Sequence, residues 1–153
     1  MNDKNQKHKN RKEKQKERYY FFLNPYIDCA FTRCPRCETN TKLRKYCLLI
    51  HIEPHHLVAL NKITRYCPCC DLIIAKKEEV EQLLCAVCER HFPKIIGNEY
   101  FVLGTMERKD WKMSQQGTLD TKRAIDNVFL FKDIWSFEIE PGGWVYEPKK
   151  DKP

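Results

Sequence analysis

Only five glycines occur in 153 residues, too few to build a nucleotide-cradling loop with ease, and no glycine-rich phosphate motif is present. A Gly-x-Ser-x-Gly elbow and a His-Glu-x-x-His pair are also missing, which removes two common hydrolase signatures. No apolar run approaches the roughly eighteen residues that a membrane-spanning helix needs, so a helical membrane protein is excluded. Residues 1–18 hold no apolar segment beyond Met1, so no secretory signal is expected and the chain reads as cytoplasmic. With no catalytic pattern, the sequence is read as that of a non-enzyme without a small-molecule substrate.

Charge is plentiful but uneven. Lys and Arg number 28 against 21 Asp and Glu, a formal +7. Residues 1–18 carry eight basic and three acidic side chains, and residues 19–153 carry 20 and 18. The first 18 residues offer nothing to bury, so they are expected to form a disordered basic tail. A single domain is expected over 19–148, with 149–153 frayed. Within it, residues 29–66 hold seven basic and two acidic side chains, whereas residues 67–148 hold ten and fourteen.

Hydrophobic periodicity sketches the domain. Tyr46, Leu48, Ile50 and Ile52 alternate, which predicts a strand over 46–52. Pro54 is placed to open a short helix over 55–60. Residues 71–75 read as a strand, followed by a helix over 77–91. Val80, Leu83, Leu84, Val87 and His91 supply its apolar face, and Pro93 ends it. Further strands are expected over 100–106 and 129–131. Residues 107–124 read as a polar connection. The alternation of Trp135, Phe137 and Ile139 with Ser136, Glu138 and Glu140 predicts a half-buried strand. Pro141-Gly142-Gly143 would then turn it into a hairpin returning over 144–146.

Nine cysteines without an export route point to metal ligation or redox chemistry rather than structural disulfides. Cys34/Cys37 and Cys67/Cys70 are Cys-x-x-Cys pairs with proline directly after the leading cysteine. Two intervening residues form a tight turn that aims both sulfurs at one point, and two such turns complete a tetrahedral zinc site. Four thiolates leave no coordination position open, so one structural Zn²⁺ is expected. Glu138 and Glu140 read as a solvated strand face.

Cys85 and Cys88 form a third pair, placed on the expected helix. They read as buried apolar thiols, as a second metal site completed from Cys29, Cys69, His91, His55 and His56, or as a redox dithiol. Their position near the helix C-terminus, where the dipole opposes a thiolate, disfavours the last. Cys47 reads as a core residue and Cys69 as pointing away from the metal. His51, His55 and His56 lack acidic partners at useful spacing and read as ordinary surface or core histidines.

The CPRC and CPCC turns resemble the paired knuckles of zinc-ribbon proteins. The strings FFLNPY, FTRCPRCE, LLIHIEP and CDLIIAK resemble bacterial zinc-ribbon proteins of similar length and unassigned activity. Glu38 and Asp71 stand where such knuckles frequently carry glycine. The resulting expectation is an α+β fold: a zinc ribbon merged with a small antiparallel β-sheet and one principal helix. Arg33, Arg36, Lys42, Arg44, Lys45, Lys62 and Arg65 bracket the knuckles, interleaved with Phe31, Tyr46 and Tyr66. That mixture suits phosphate contacts with stacked bases, hence a nucleic-acid partner. The alternatives are a protein-interaction adaptor and, less favoured, a thiol redox or metal-sensing protein. Four thiolates around a divalent ion carry a net −2, which offsets the small positive charge of the body and confines any nucleic-acid contact to the tail and the knuckle face.

Overall fold

Period-two alternation along residues 42–52 organises the structure, a computed structural model that describes residues 16–107 and 126–139. The chain runs β1 (Tyr20–Asn24), β2 (Lys42–Ile52), β3 (His56–Cys67), β4 (Leu72–Lys76), α1 (Lys77–His91), a 3₁₀ turn (Pro93–Ile95), β5 (Tyr100–Met106), β6 (Phe129–Leu130) and β7 (Asp133–Trp135). On β2, Tyr46, Leu48, Ile50 and Ile52 face the principal core, as the alternation predicts. Cys47 and Leu49 face the other way, against Met106 and Val128. The strand is thus buried on both faces, and full burial of each large apolar side chain contributes about 1.5–3 kcal/mol.

The helix expected over 55–60 is instead the start of β3. Val58 and Leu60 enter the principal core while Leu57 and Ala59 pack on the opposite face, a period that only a strand satisfies. Ile52 pairs with His56, so Pro54 occupies the hairpin turn rather than a first helical turn.

Seven strands form one sheet in the order β6-β5-β2-β3-β4-β1-β7. It is mixed, because β1 runs parallel to both β4 and β7, where a small antiparallel sheet is expected from the sequence. The two edge strands belong to one continuous stretch, 129–135. Phe131 N–H donates to the Leu103 carbonyl at 3.1 Å, and Lys132 N–H donates to that of Tyr19 at 2.8 Å. The sheet therefore curls until a single segment bridges its edges, leaving few backbone groups unpaired there. Phe131 turns inward and stacks on Phe21 with ring centroids 4.6 Å apart. Gly104 permits the closure. Leu49 pairs with Gly104 but Ile50 with Val102, so β5 carries a bulge at Leu103. A Cβ on Gly104 would lie 2.0 Å from the Phe129 carbonyl oxygen.

Helix α1 spans the residues its periodicity predicts. Glu78 and Glu79 occupy its first turn and Arg90 and His91 its last, each favourable with the helix dipole. Its buried stripe is Val80, Leu84 and Cys88, narrower than expected, while Leu83 and His91 face solvent. Lys62 on β3 donates to Glu79, tying helix to sheet.

Three sequence boundaries shift. Residues 16–18, assigned to the tail, already pair with Leu130 through the Arg18 and Leu130 N–H groups. β7 ends at Trp135 instead of continuing to Ile139, and it joins β1 rather than a hairpin partner. Past its end, the Phe137 carbonyl accepts from Tyr26 Oη at 2.7 Å, outside any strand ladder. The expected turn at 141–143 and return over 144–146 lie outside the described residues, as do 1–15, 108–125 and 149–153.

Candidate metal centre

Each Cys-x-x-Cys turn is anchored by a different strand pair. The first sits in a small hairpin: Cys34 N–H donates to the Thr39 carbonyl, Glu38 N–H donates to that of Cys34, and Arg33 pairs with Asn40. Thr41 Oγ1 donates to the Phe31 carbonyl at 2.8 Å and ties this hairpin to the start of β2. The second turn joins β3 to β4, with Cys67 paired to Leu72. Cys34 and Cys67 are buried to 1% and 0% exposure, whereas Cys37 and Cys70 are partly exposed.

Glu38 and Asp71 solve the missing-glycine problem by adopting the left-handed conformation themselves, with φ of 63° and 59°. Asp71 is held there by a hydrogen bond from Tyr66 Oη. Each turn aims an amide at a sulfur. Arg36 N–H lies 3.4 Å from Cys34 Sγ, and Cys70 N–H lies 3.3 Å from Cys67 Sγ.

All four sulfurs converge within 4.8 Å of one another. Cys37 and Cys67 are 3.4 Å apart, and Cys34 and Cys70 are 4.0 Å apart. Thiolates about 2.3 Å from a shared tetrahedral ion stand roughly 3.8 Å apart, so the donor set and its spacing fit a four-coordinate metal. The sulfurs differ in proton affinity. The Thr39 hydroxyl, 3.2 Å away, and the Thr39 amide lower the Cys37 pKa to about 6. Burial pushes the Cys67 thiol up to about 11, and burial also raises that of Cys70. A divalent ion bound here would replace the protons that the buried sulfurs otherwise retain. An ion held by all four sulfurs would have a filled tetrahedral shell.

The centre lies on the outer face of β1 and β4, in a second apolar cluster built from Phe22, Phe31, Leu72 and Ile74. Phe137 and Trp135 complete this wall, with Trp135 stacked on Tyr20 at 4.3 Å and Arg36 lying over its other face at 4.6 Å. Sequence reasoning missed Thr39 and Trp135 at this site. A hydroxyl two positions after Cys37 is a local signal, but nothing local links Trp135 to a knuckle 98 residues away.

The remaining sequence candidates separate. Cys85 is exposed and Cys88 buried on α1, and among the described residues no histidine, cysteine or carboxylate joins them in a metal-binding cluster. The second metal site therefore finds no support in their placement. His55 is exposed and the His56 ring lies 4.7 Å from that of Phe92. Cys29 flanks the apolar cluster of the metal side, and Cys69 is exposed outside the sulfur ring.

The seven cations do not make one stripe. Arg33 and Arg36 ride on the first knuckle. Strand register puts Lys42 and Arg44 on the opposite face of the sheet from Lys45 and Arg65. Lys62 is paired with Glu79, while the other six form no ion pair among the described residues. The interleaved aromatics are already engaged: Phe31 and Tyr46 are buried, and Arg44 covers Tyr66 at 4.9 Å. Stacking of bases on Phe31 and Tyr46, expected from the sequence, is thereby blocked, and on Tyr66 it competes with Arg44. Among the described residues, no helix is long and apolar enough to cross a membrane. Comparisons with models of protein families, with curated proteins and with solved structures return no match.

Proposed function

We propose that the protein is a non-catalytic, zinc-stabilised binding module of the cytoplasm, built on a knuckle pair of the zinc-ribbon kind. The convergence of four sulfurs on one point carries this reading. Zinc suits four thiolates at this spacing and, once four-coordinate, presents no position for substrate or water. Its role is to fasten the 31–41 hairpin to the β3–β4 turn, adding to the packing of Phe31 against Leu72 and Ile74. Elemental analysis of purified protein should give one zinc per chain, lost in Cys34→Ser and Cys67→Ser and retained in Cys85→Ser. Zinc retained in Cys67→Ser refutes the site.

The partner reading follows the cations without ion pairs. Arg33 and Arg36 on the first knuckle, with Lys42 and Arg44 at the start of β2 on the other sheet face, can meet phosphates without reading bases. Binding to single- or double-stranded nucleic acid is then weakly selective and falls steeply with salt, with a log–log slope near −0.9 per phosphate contact on duplex DNA. Fluorescence anisotropy over a salt series tests this, and affinity independent of salt refutes it. A protein-adaptor reading has one specific support: Leu43 and Ile63, 63% and 53% exposed, are diagonal neighbours on the outer sheet face, opposite Arg65 and Lys45 respectively. An adaptor surface of that kind is salt-resistant and lost in Leu43→Ser.

A further inference from the structure

A cleft of about 320 Å³ opens between α1, the end of β2, the 95–98 segment and the start of β5, away from the sulfur cluster. Ile52, Leu84 and Ile96 supply apolar wall, and Cys85 and Cys88 both line it. Glu81 also reaches the cleft, but its Oε2 accepts a hydrogen bond from Tyr100 Oη at 2.7 Å, so the carboxylate is already occupied. At the lip, Gly97 has no atom within 4 Å of the position a Cβ would take, which leaves the mouth open.

Helix geometry decides what two thiols can do here. Residues three apart on an α-helix hold their Cβ atoms about 5–6 Å apart. A disulfide needs Cβ atoms roughly 3.5–4.5 Å apart, so direct oxidation of Cys85 with Cys88 requires the helix to open. Burial raises the Cys88 pKa, with a smaller contribution from Cys85, which keeps that thiol protonated at neutral pH and slow to oxidise. An atom inserted between the sulfurs spans the gap without that distortion.

We propose that this cleft captures small, mainly apolar molecules bearing a trivalent thiophilic centre. Cys85 and Cys88 clasp that centre while the apolar body packs against Ile52, Leu84 and Ile96. With an organoarsenic(III) oxide, two As–S bonds form and the As=O bond breaks. Both thiol protons leave on the oxygen as one water, and arsenic and sulfur keep their oxidation states.

Phenylarsine oxide added to the full-length, zinc-loaded protein tests the proposal, read by native mass spectrometry with a chromophoric chelator reporting released zinc. One adduct per chain is expected, with zinc retained and resistant to glutathione but reversed by a dithiol. Cys85→Ser, a change at an exposed position, should weaken capture at least tenfold while leaving zinc content and circular dichroism unchanged. Arsenous acid, which lacks the apolar body, should bind at least tenfold more weakly than the aryl compound. An adduct that forms only with loss of zinc, that persists in Cys85→Ser, that glutathione removes, or that arsenous acid matches in affinity would overturn it.

Discussion

Glycine at positions 38 and 71 should move stability in opposite directions, although both residues end a Cys-x-x-Cys turn with positive φ. Glu38 is exposed and its side chain makes no described hydrogen bond, so only backbone strain is at stake. A left-handed L-residue costs about 1–2 kcal/mol, and glycine's extra unfolded-state freedom returns roughly 0.5–1 kcal/mol of that. Glu38→Gly should therefore stabilise by about 0.5–1 kcal/mol, raising Tm by roughly 1–4 °C for a chain of this size. Asp71 differs in two respects. Aspartate tolerates the left-handed region better, so relief is smaller. Its carboxylate also accepts from Tyr66 Oη, a hydrogen bond to a charged group worth about 1.5–3 kcal/mol before discount for the partial exposure of both partners. Asp71→Gly should thus destabilise by about 1–2 kcal/mol once the smaller gains are set against it. Urea and thermal unfolding of zinc-loaded protein at one fixed free-zinc concentration measure both, so that metal linkage contributes equally. Tyr66→Phe should cost a similar amount and be non-additive with Asp71→Gly. If Asp71→Gly stabilises the protein, or both glycine variants shift the same way, the account of these turns is wrong.

Gly104→Ala should cost about 1–3 kcal/mol, because its new methyl meets backbone that cannot yield. Amide exchange around 128–131 should accelerate most, and unchanged protection there would count against the closure. Leu84→Ala on the buried stripe of α1 should lower stability by about 2–4 kcal/mol in denaturant unfolding, while Leu83→Ala, at an exposed site, should change it by less than about 0.5 kcal/mol. Hydrogen bonding from Lys62 holds the Glu79 carboxyl below its ordinary value of 4.5. Because the folded pKa is depressed, the pair's contribution is present above that ordinary value and lost as pH falls through the folded pKa. Glu79 is partly exposed, so the amount is under about 1 kcal/mol. Carbon-detected titration should place its midpoint below 4.5, and Lys62→Met should move it upward.

Local pattern made much of this protein legible. The spacing of Cys34/Cys37 and Cys67/Cys70 marks two sulfur-bearing turns, and the structure brings those four residues together. The alternation of Tyr46 through Ile52 and the i, i+4 rhythm of Val80 and Leu84 marked a strand and a helix, because side-chain direction repeats with each element's own period. Where two local signals competed, as at Pro54 before Val58 and Leu60, burial of alternate residues prevailed over a helix-opening proline.

Long-range pairing decided the rest. Residues 129–135 bridge both edges of the sheet only because β1 and β5 come to lie on either side of them, an arrangement that no window of sequence contains. The same arrangement sets Trp135 and Phe137 beside the knuckles, and Tyr46 is turned away from solvent. Lys62 is likewise removed from the free cations by a helix residue seventeen positions onward. Composition alone determined that few glycines and no long apolar run were available, and cysteine spacing marked the two sulfur-bearing turns of the module. Tertiary structure decided which faces that module presents, because burial, ion pairing and aromatic stacking depend on neighbours far apart in the chain.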